Sequence, residues 1–238
     1  MNIGAIIFSR LSSKRLPGKA LIDISGRSLL GRVIDRTKDI DGIDTVVVAT
    51  SLNPEDDEIE KFSSSENVSV YRGSLNNVFS RASSACKEYN LERFVRICGD
   101  RPFFSPKFVS ELIQENKFKD FDLITNTFPR TFPPGLTCEI IKSSILEATQ
   151  SQITLQSDKE HLTSYFYRNA KNFSIKNIYS NIAMDRNFDN LNLCVDTEKD
   201  LQRATYIASE MDTRNLTYDN IRNVISLAKE WDDNSSPN

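Results

Sequence analysis

Histidine and cysteine are scarce in this chain of 238 residues: there is one histidine, His161, and the four cysteines at 86, 98, 138 and 194 form no C-x-x-C pair. That argues against zinc, so any metal is expected to be a hard cation held by carboxylate and phosphate oxygens. Cys98 and Cys194 lie in apolar runs and read as reduced core residues. Neither sign of charge is in excess, with 30 basic against 33 acidic residues and a net charge of −3. This disfavours non-specific nucleic-acid binding and leaves room for a local basic site holding one nucleotide. No apolar run approaches a membrane span, and no signal-peptide pattern opens the chain, so the expectation is a cytoplasmic protein with no nucleic-acid or membrane partner. Internal repeats, low-complexity linkers and a D-x-D pair at a strand end are all lacking. The length suits one α/β domain with an appended element, or two small domains.

What is present begins with a loop. The apolar run Ile3-Gly4-Ala5-Ile6-Ile7-Phe8 reads as a buried strand, and Arg10-Leu11-Ser12-Ser13-Lys14-Arg15-Leu16-Pro17-Gly18-Lys19 follows directly. Pro17-Gly18 interrupts any helix there. Arginine forks, lysine point charges and the hydroxyls of Ser12 and Ser13 converging after a strand are suited to gripping a polyphosphate. The loop is not a Walker loop, because the G-x-x-x-x-G-K-[ST] spacing is absent. A basic turn bathed in solvent is the plainer alternative, but the carboxyl end of a first strand is where open α/β sheets bind ligands.

Apolar spacing predicts a helix from Leu29 to about Lys38 and a strand over Asp44–Thr50. A helix opened by Asn53-Pro54 and a short strand over Val68–Tyr71 follow. This β-α-β-α-β alternation predicts an α/β doubly wound, mostly parallel, Rossmann-like sheet. A helix runs from the Arg72-Gly73-Ser74 stretch to about Tyr89, with Ser74 as its expected cap. Leu91–Cys98 is the next strand and ends in Gly99-Asp100-Arg101-Pro102. An aspartate there can hold a metal that bridges phosphates, or simply belong to a surface turn. A helix over Pro106–Asn116 and a strand over Phe121–Asn126 lead to a proline-rich connection. Residues 127–180 read as a smaller, partly antiparallel inserted element, with strands at Leu136–Ile141 and Phe173–Ile178. Between them lies one amphipathic helix over Ser157–Arg168, capped by Ser157 or Asp158. Residues 1–126 and 181–231 form the main domain. Its last strand is Leu191–Val195, ending at Asp196, and helices to Met211 and from Thr217 to Trp231 precede a disordered tail, 232–238. Asp196 repeats the placement of Asp100, with helix capping as its structural alternative.

Four motifs in order resemble the cytidylyltransferases that make CMP-activated acidic sugars, including the CMP-3-deoxy-manno-octulosonate, CMP-sialate and spore-coat-polysaccharide types. They are R-x-x-S-x-R-L-P-G-K from Arg10, R-G-S from Arg72 with Arg81 following, V-R-I-x-G-D at Asp100, and L-x-V-D-T at Asp196. The resemblance implies a nucleotidyltransferase fold and CTP as co-substrate, its triphosphate wrapped by Arg10, Ser12, Ser13, Arg15 and Lys19. It places Arg72, Gly73, Ser74, Asn77, Arg81 and Gly99 around the nucleotide, and makes Asp100 and Asp196 a Mg2+ pair. Lys19, Arg15, Asp100 and Asp196 are then the catalytic residues. Glu139, His161 and Arg101 fall near the acceptor, an acidic sugar, and the inserted element implies a homodimer. Asn77 stands where relatives carry an acid, Arg101 where a small residue is expected, and Pro134 and Thr137 where two further acids would be. The loss of those two charges beside the acceptor suggests a more anionic or differently shaped substrate. The expected role is cytidylyl transfer for surface polysaccharide or glycoconjugate synthesis. A phosphonate- or phosphate-bearing acceptor, a nucleotide-sugar-dependent glycosyltransferase and a non-catalytic nucleotide-binding module are the alternatives.

Overall fold

The computed structural model describes residues 1–114, 121–179 and 191–235. Strands β1 (Ile3–Phe8), β2 (Thr45–Ser51), β3 (Ser69–Gly73) and β4 (Arg93–Cys98) pair in parallel, in the order β3-β2-β1-β4. Strands β5 (Leu123–Thr125), β6 (Glu139–Lys142) and β7 (Ile175–Asn177) extend this to one sheet, β3-β2-β1-β4-β6-β5-β7, in which only β6 runs antiparallel to its neighbours. The protein is thus a mixed α/β fold with a mostly parallel sheet, as the alternation of elements predicted.

Both faces of the sheet are covered, which is why β1 is apolar at every position. Ala5 and Ile7 face a core shared with Val33 and Ile34 of α1 (Leu29–Lys38), Ile59 of α2 (Asp57–Ser65) and Val109 of α4 (Pro106–Gln114). Ile6 faces the other side with Phe79 and Ala82 of α3 (Val78–Glu88), Leu146 of α5 (Ser143–Thr149) and Phe166 of α7 (Ser164–Arg168). A third cluster joins α8 (Glu198–Thr213) and α9 (Ile221–Ser235) to Leu29, Phe103, Leu193 and Val195. Ser28 caps α1 by accepting the Gly31 N–H, and Thr197 with Asp200 forms a reciprocal capping box on α8.

Several local expectations are corrected. Residues 191–195 form no strand: Leu191, Leu193 and Val195 are buried alternately, but Leu193 N–H donates to Pro134 (2.8 Å) and Val195 N–H to Asp100 (2.9 Å), so the segment is tied to loops at the sheet's edge. The single helix expected over 157–168 is two, α6 (Gln156–Glu160) and α7, separated where His161 leaves helical geometry (φ −107°, ψ 91°). Neither Ser157 nor Asp158 caps α6; Asp158 is buried against Arg168 instead. Asn77, not Ser74, caps α3, accepting the Ser80 N–H at 2.9 Å. Strand β6 of the expected inserted element pairs with β4 inside the main sheet, because its face carries Ile140 and Ile141 into the two central cores. Helix α9 continues past Trp231 to Ser235. The expected helix end at Asn116, the division of the chain at position 181 and the last residues of the tail lie outside the described residues.

Leu30 on α1 is fully buried, whereas Leu52 is 69% exposed. Leu30→Ala should cost about 2–5 kcal/mol in urea unfolding, while Leu52→Ala should fall within about 0.5 kcal/mol of the parent.

Candidate active site

Strand order reverses between β1 and β4, and at their carboxyl ends a cleft of about 740 Å³ opens. Its cationic lining is Arg10, Lys14, Arg15, Lys19, Arg81 and Arg96, which outnumber the carboxylates of Asp100, Glu160 and Asp196. Such a surplus of positive charge at a topological switch point suits a polyanionic ligand.

The loop after β1 is shaped by its own backbone and by one buried acid. Gly18, in left-handed geometry (φ 70°), turns the chain so that its N–H donates to the Leu11 carbonyl at 3.1 Å. Asp56, 1% exposed, accepts the Leu11 N–H at 2.8 Å and is itself fixed by the N–H and hydroxyl of Ser51. Gly99 serves a close approach of backbone: a Cβ there would meet the Ser9 side chain at 2.9 Å and the Phe8 carbonyl at 3.1 Å. The ends of β1 and β4 are thereby pressed together.

Lys19 draws three distant parts of the chain to one point. Its Nζ donates to the Val195 carbonyl (2.7 Å) and to Asp196 Oδ1 (2.9 Å), and lies 3.6 Å from Asp100 Oδ2. Arg15 reaches Asp196 Oδ2 at 3.0 Å. Asp100 Oδ1 is buried without a hydrogen-bond partner among the described residues, and Arg101 Nε is 3.9 Å away. Two carboxylates sharing a cation, one with an unsatisfied oxygen, fit a hard divalent ion. No cluster of three or more metal-ligating side chains occurs among the described residues, so such an ion would complete its shell with phosphate oxygens and water.

Of the residues singled out from sequence, Arg10, Ser12, Ser13, Arg15, Lys19, Arg81, Gly99, Asp100, His161 and Asp196 border the cleft. Others do not. Arg72 is turned outward onto Asp57 (2.6 Å) and Glu60 (2.7 Å), because those acids of α2 lie beside β3. Ser74 accepts the Asn77 N–H and its carbonyl accepts Arg81 Nη1, while Gly73 leaves room for the Arg81 side chain. These residues shape the α3 entry, and Arg81 alone among them reaches the cleft. Burial lowers the Arg81 guanidinium to about 10, and its Nε has no hydrogen-bond partner among the described residues. Arg101 lies behind the cleft, its Nη1 donating to Thr137.

Glu139 is likewise behind the cleft, 2% exposed, paired with Arg96 and accepting the Tyr167 hydroxyl. Sequence reasoning missed Arg96 and Asp56 as site residues. The signal for Arg96 was a charged side chain inside the apolar run of β4; for Asp56 there was none, since an acid after Pro54 reads as an ordinary helix start. Cys98 and Cys194, expected in the core, are only partly buried, and Cys98 borders the cleft; burial pushes the Cys194 thiol up to about 12.

Burial would raise the Glu139 carboxyl, but Arg96, Tyr167 and Arg101 outweigh it and hold the group below its ordinary value of 4.5. Its stabilising effect is therefore complete above that value and is lost as pH falls through the depressed one. Glu139→Gln should lose about 3–5 kcal/mol at pH 7, because a buried guanidinium is left unpaired. The gap to the parent should narrow on acidification, read from urea midpoints at a series of pH values.

The cytidylyltransferase family model matches residues 4–225. A cytidylyltransferase structure from Leptospira borgpetersenii superposes with a TM-score of 0.85 at 28% identity, covering 98% of this chain and 95% of that one. The spore coat polysaccharide biosynthesis protein SpsF of Bacillus subtilis is 28% identical over 167 residues, which is 67% of this chain and 68% of that protein. A CMP:2-keto-3-deoxy-manno-octonic acid synthetase complexed with CTP shares the fold, with a TM-score of 0.66 at 16% identity over 88% of this chain and 99% of that one.

Proposed function

This chain belongs to the cytidylyltransferase family, and on that footing we propose that it transfers CMP from CTP to an acidic sugar for surface polysaccharide or glycoconjugate synthesis. It is a CTP-dependent nucleotidyltransferase. In the proposed reaction an acceptor hydroxyl oxygen loses its proton to solvent and forms a bond to the α-phosphorus of CTP, the bridge to the β-phosphate breaks, and pyrophosphate leaves. The observation that carries this reading is the convergence of Lys19 and Arg15 from the loop with Asp100 and Asp196 in one cleft. SpsF, by its name a spore coat polysaccharide protein, supports the polysaccharide setting.

The residues divide by task. Arg10, Ser12, Ser13, Arg15 and Lys19 take the β- and γ-phosphates, where negative charge grows as the leaving group departs. Arg15, 66% exposed, exchanges its carboxylate partner for phosphate oxygens at little cost, whereas Lys19, 14% exposed, keeps its place between Asp100 and Asp196 and adds its charge to the phosphates. Asp100 and Asp196 would hold Mg2+, which when bound supplies positive charge to the phosphates. Arg81, buried and without a carboxylate partner among the described residues, faces the nucleotide. His161 and Glu160, at the end of α6, face the acceptor. Residues 127–180 serve as the acceptor and subunit-contact element of a cytoplasmic homodimer; Phe128 and Tyr179 remain 38% and 70% exposed there.

Pyrophosphate release is the test, measured with Mg2+, each of the four nucleoside triphosphates, and a panel of acidic sugars, sugar phosphates and phosphonates. Release should require CTP and one carboxylated sugar, and should stop when the metal is chelated. Release with a phosphonate alone would move the acceptor class, and turnover with another triphosphate in place of CTP would overturn the reading. Lys19→Ala and Asp100→Ala should each lower kcat by about a hundredfold or more while keeping a cooperative melt.

A further inference from the structure

Among the described residues Arg96 is the one cleft cation that is borne by the sheet; the others come from the loop after β1 and from α3. We infer that Arg96 reads the acceptor, its guanidinium gripping the anionic group, carboxylate or phosphonate, of the molecule that receives CMP. This deepens the cytidylyl-transfer reading above and rests on it.

The side chain lies inside the otherwise apolar run of β4, is 17% exposed and borders the cleft. Placing a guanidinium there is costly, and an ion pair with Glu139 on β6 offsets the cost. The pair is held from behind: Glu139 accepts the Tyr167 hydroxyl, which lies 2.9 Å from the Thr125 and Thr127 hydroxyls. Stability alone is a weak reason for such an arrangement, since well-packed apolar residues commonly serve as well in place of a buried pair. A clamped guanidinium facing a cleft is, in contrast, a preorganised anion receptor. It is also not saturated. Nη1 is taken by Glu139, while Nε, itself buried, has no hydrogen-bond partner among the described residues.

The position separates Arg96 from the phosphate grip. Lys19 and Arg15 converge on Asp196, whereas Arg96 is anchored on the far side of β4, against β6. Arg101 adds a second positive charge beneath this floor, bonded to Thr137 and out of the cleft. Arg101 has the Asp100 carboxylate 3.9 Å away, and of the two arginines Arg96 is the one that borders the cleft and that a ligand can reach.

The experiment uses the full chain saturated with α,β-methylene CTP and Mg2+, titrated by calorimetry with pyruvate and, separately, methylphosphonate as fragments of the acceptor's anionic end. The parent should bind one of them saturably, and which one names the anion. Arg96→Gln should weaken that binding by about tenfold or more, with the affinity for the CTP analogue unchanged. Because Arg96→Gln leaves Glu139 buried and unpaired, the double variant Arg96→Gln with Glu139→Gln is measured beside it. It should melt near the parent and show the same loss. Fragment binding equal in parent and variants, no saturable fragment binding to the parent, or parallel loss of the CTP analogue in the variants would each overturn the role of Arg96. Failure of the parent to bind the CTP analogue would overturn the cytidylyl-transfer reading, and this role with it.

Discussion

The ammonium of Lys19, set between the carboxylates of Asp196 and Asp100 and the carbonyl of Val195, is the contact on which the cleft depends. It joins the loop after β1, the end of β4 and the segment leading to α8. Two carboxylates brought this close repel one another unless a cation lies between them. Lys19 supplies that cation from a loop anchored by Asp56 and turned by Gly18, so the geometry of the pair and of the loop are set together. The Val195 N–H returns a hydrogen bond to the Asp100 carbonyl, closing the connection through backbone as well.

Around that contact the charges fall into two kinds. Some on the loop are solvated: the Arg15 side chain is 66% exposed, and its ion pair is readily exchanged for another anion. Those on the floor are buried and mutually pinned, as Arg96, Glu139 and Tyr167 are. An enzyme that must admit a triphosphate, hold it and release pyrophosphate benefits from the first kind. A site that must orient a second substrate benefits from the second, because preorganised groups need not rearrange when the ligand arrives. The sheet supplies both, since β1 opens into a loop while β4 and β6 bring polar side chains up from within.

Much of this was legible in the order of residues. The apolar run of β1, the basic loop after it and the aspartates at 100 and 196 are local patterns with local causes, and the structure brings them to one cleft. Where sequence reading failed, a competing contact decided the outcome. Residues 191–195 alternate like a strand, yet their N–H groups bond to the loops at Pro134 and Asp100. The amphipathic pattern over 157–168 is interrupted at His161, and its Asp158 is drawn inward to Arg168 instead of capping a helix. Arg72 matches a nucleotide-binding motif by position, but the nearby acids of α2 hold it outside the cleft.

The sequence by itself determined the fold class, the basic loop after β1 and the two carboxylates at 100 and 196, because periodicity and residue type act within a few positions of the chain. Only the tertiary structure decided which charges face the cleft and which lie behind it. Asp56 became a loop anchor, Glu139 withdrew beneath Arg96, and Lys19 came to stand between two acids far away in sequence. A buried charge takes whichever partner is nearest in space, and nearness across β1, β4 and β6 is set by sheet order and register.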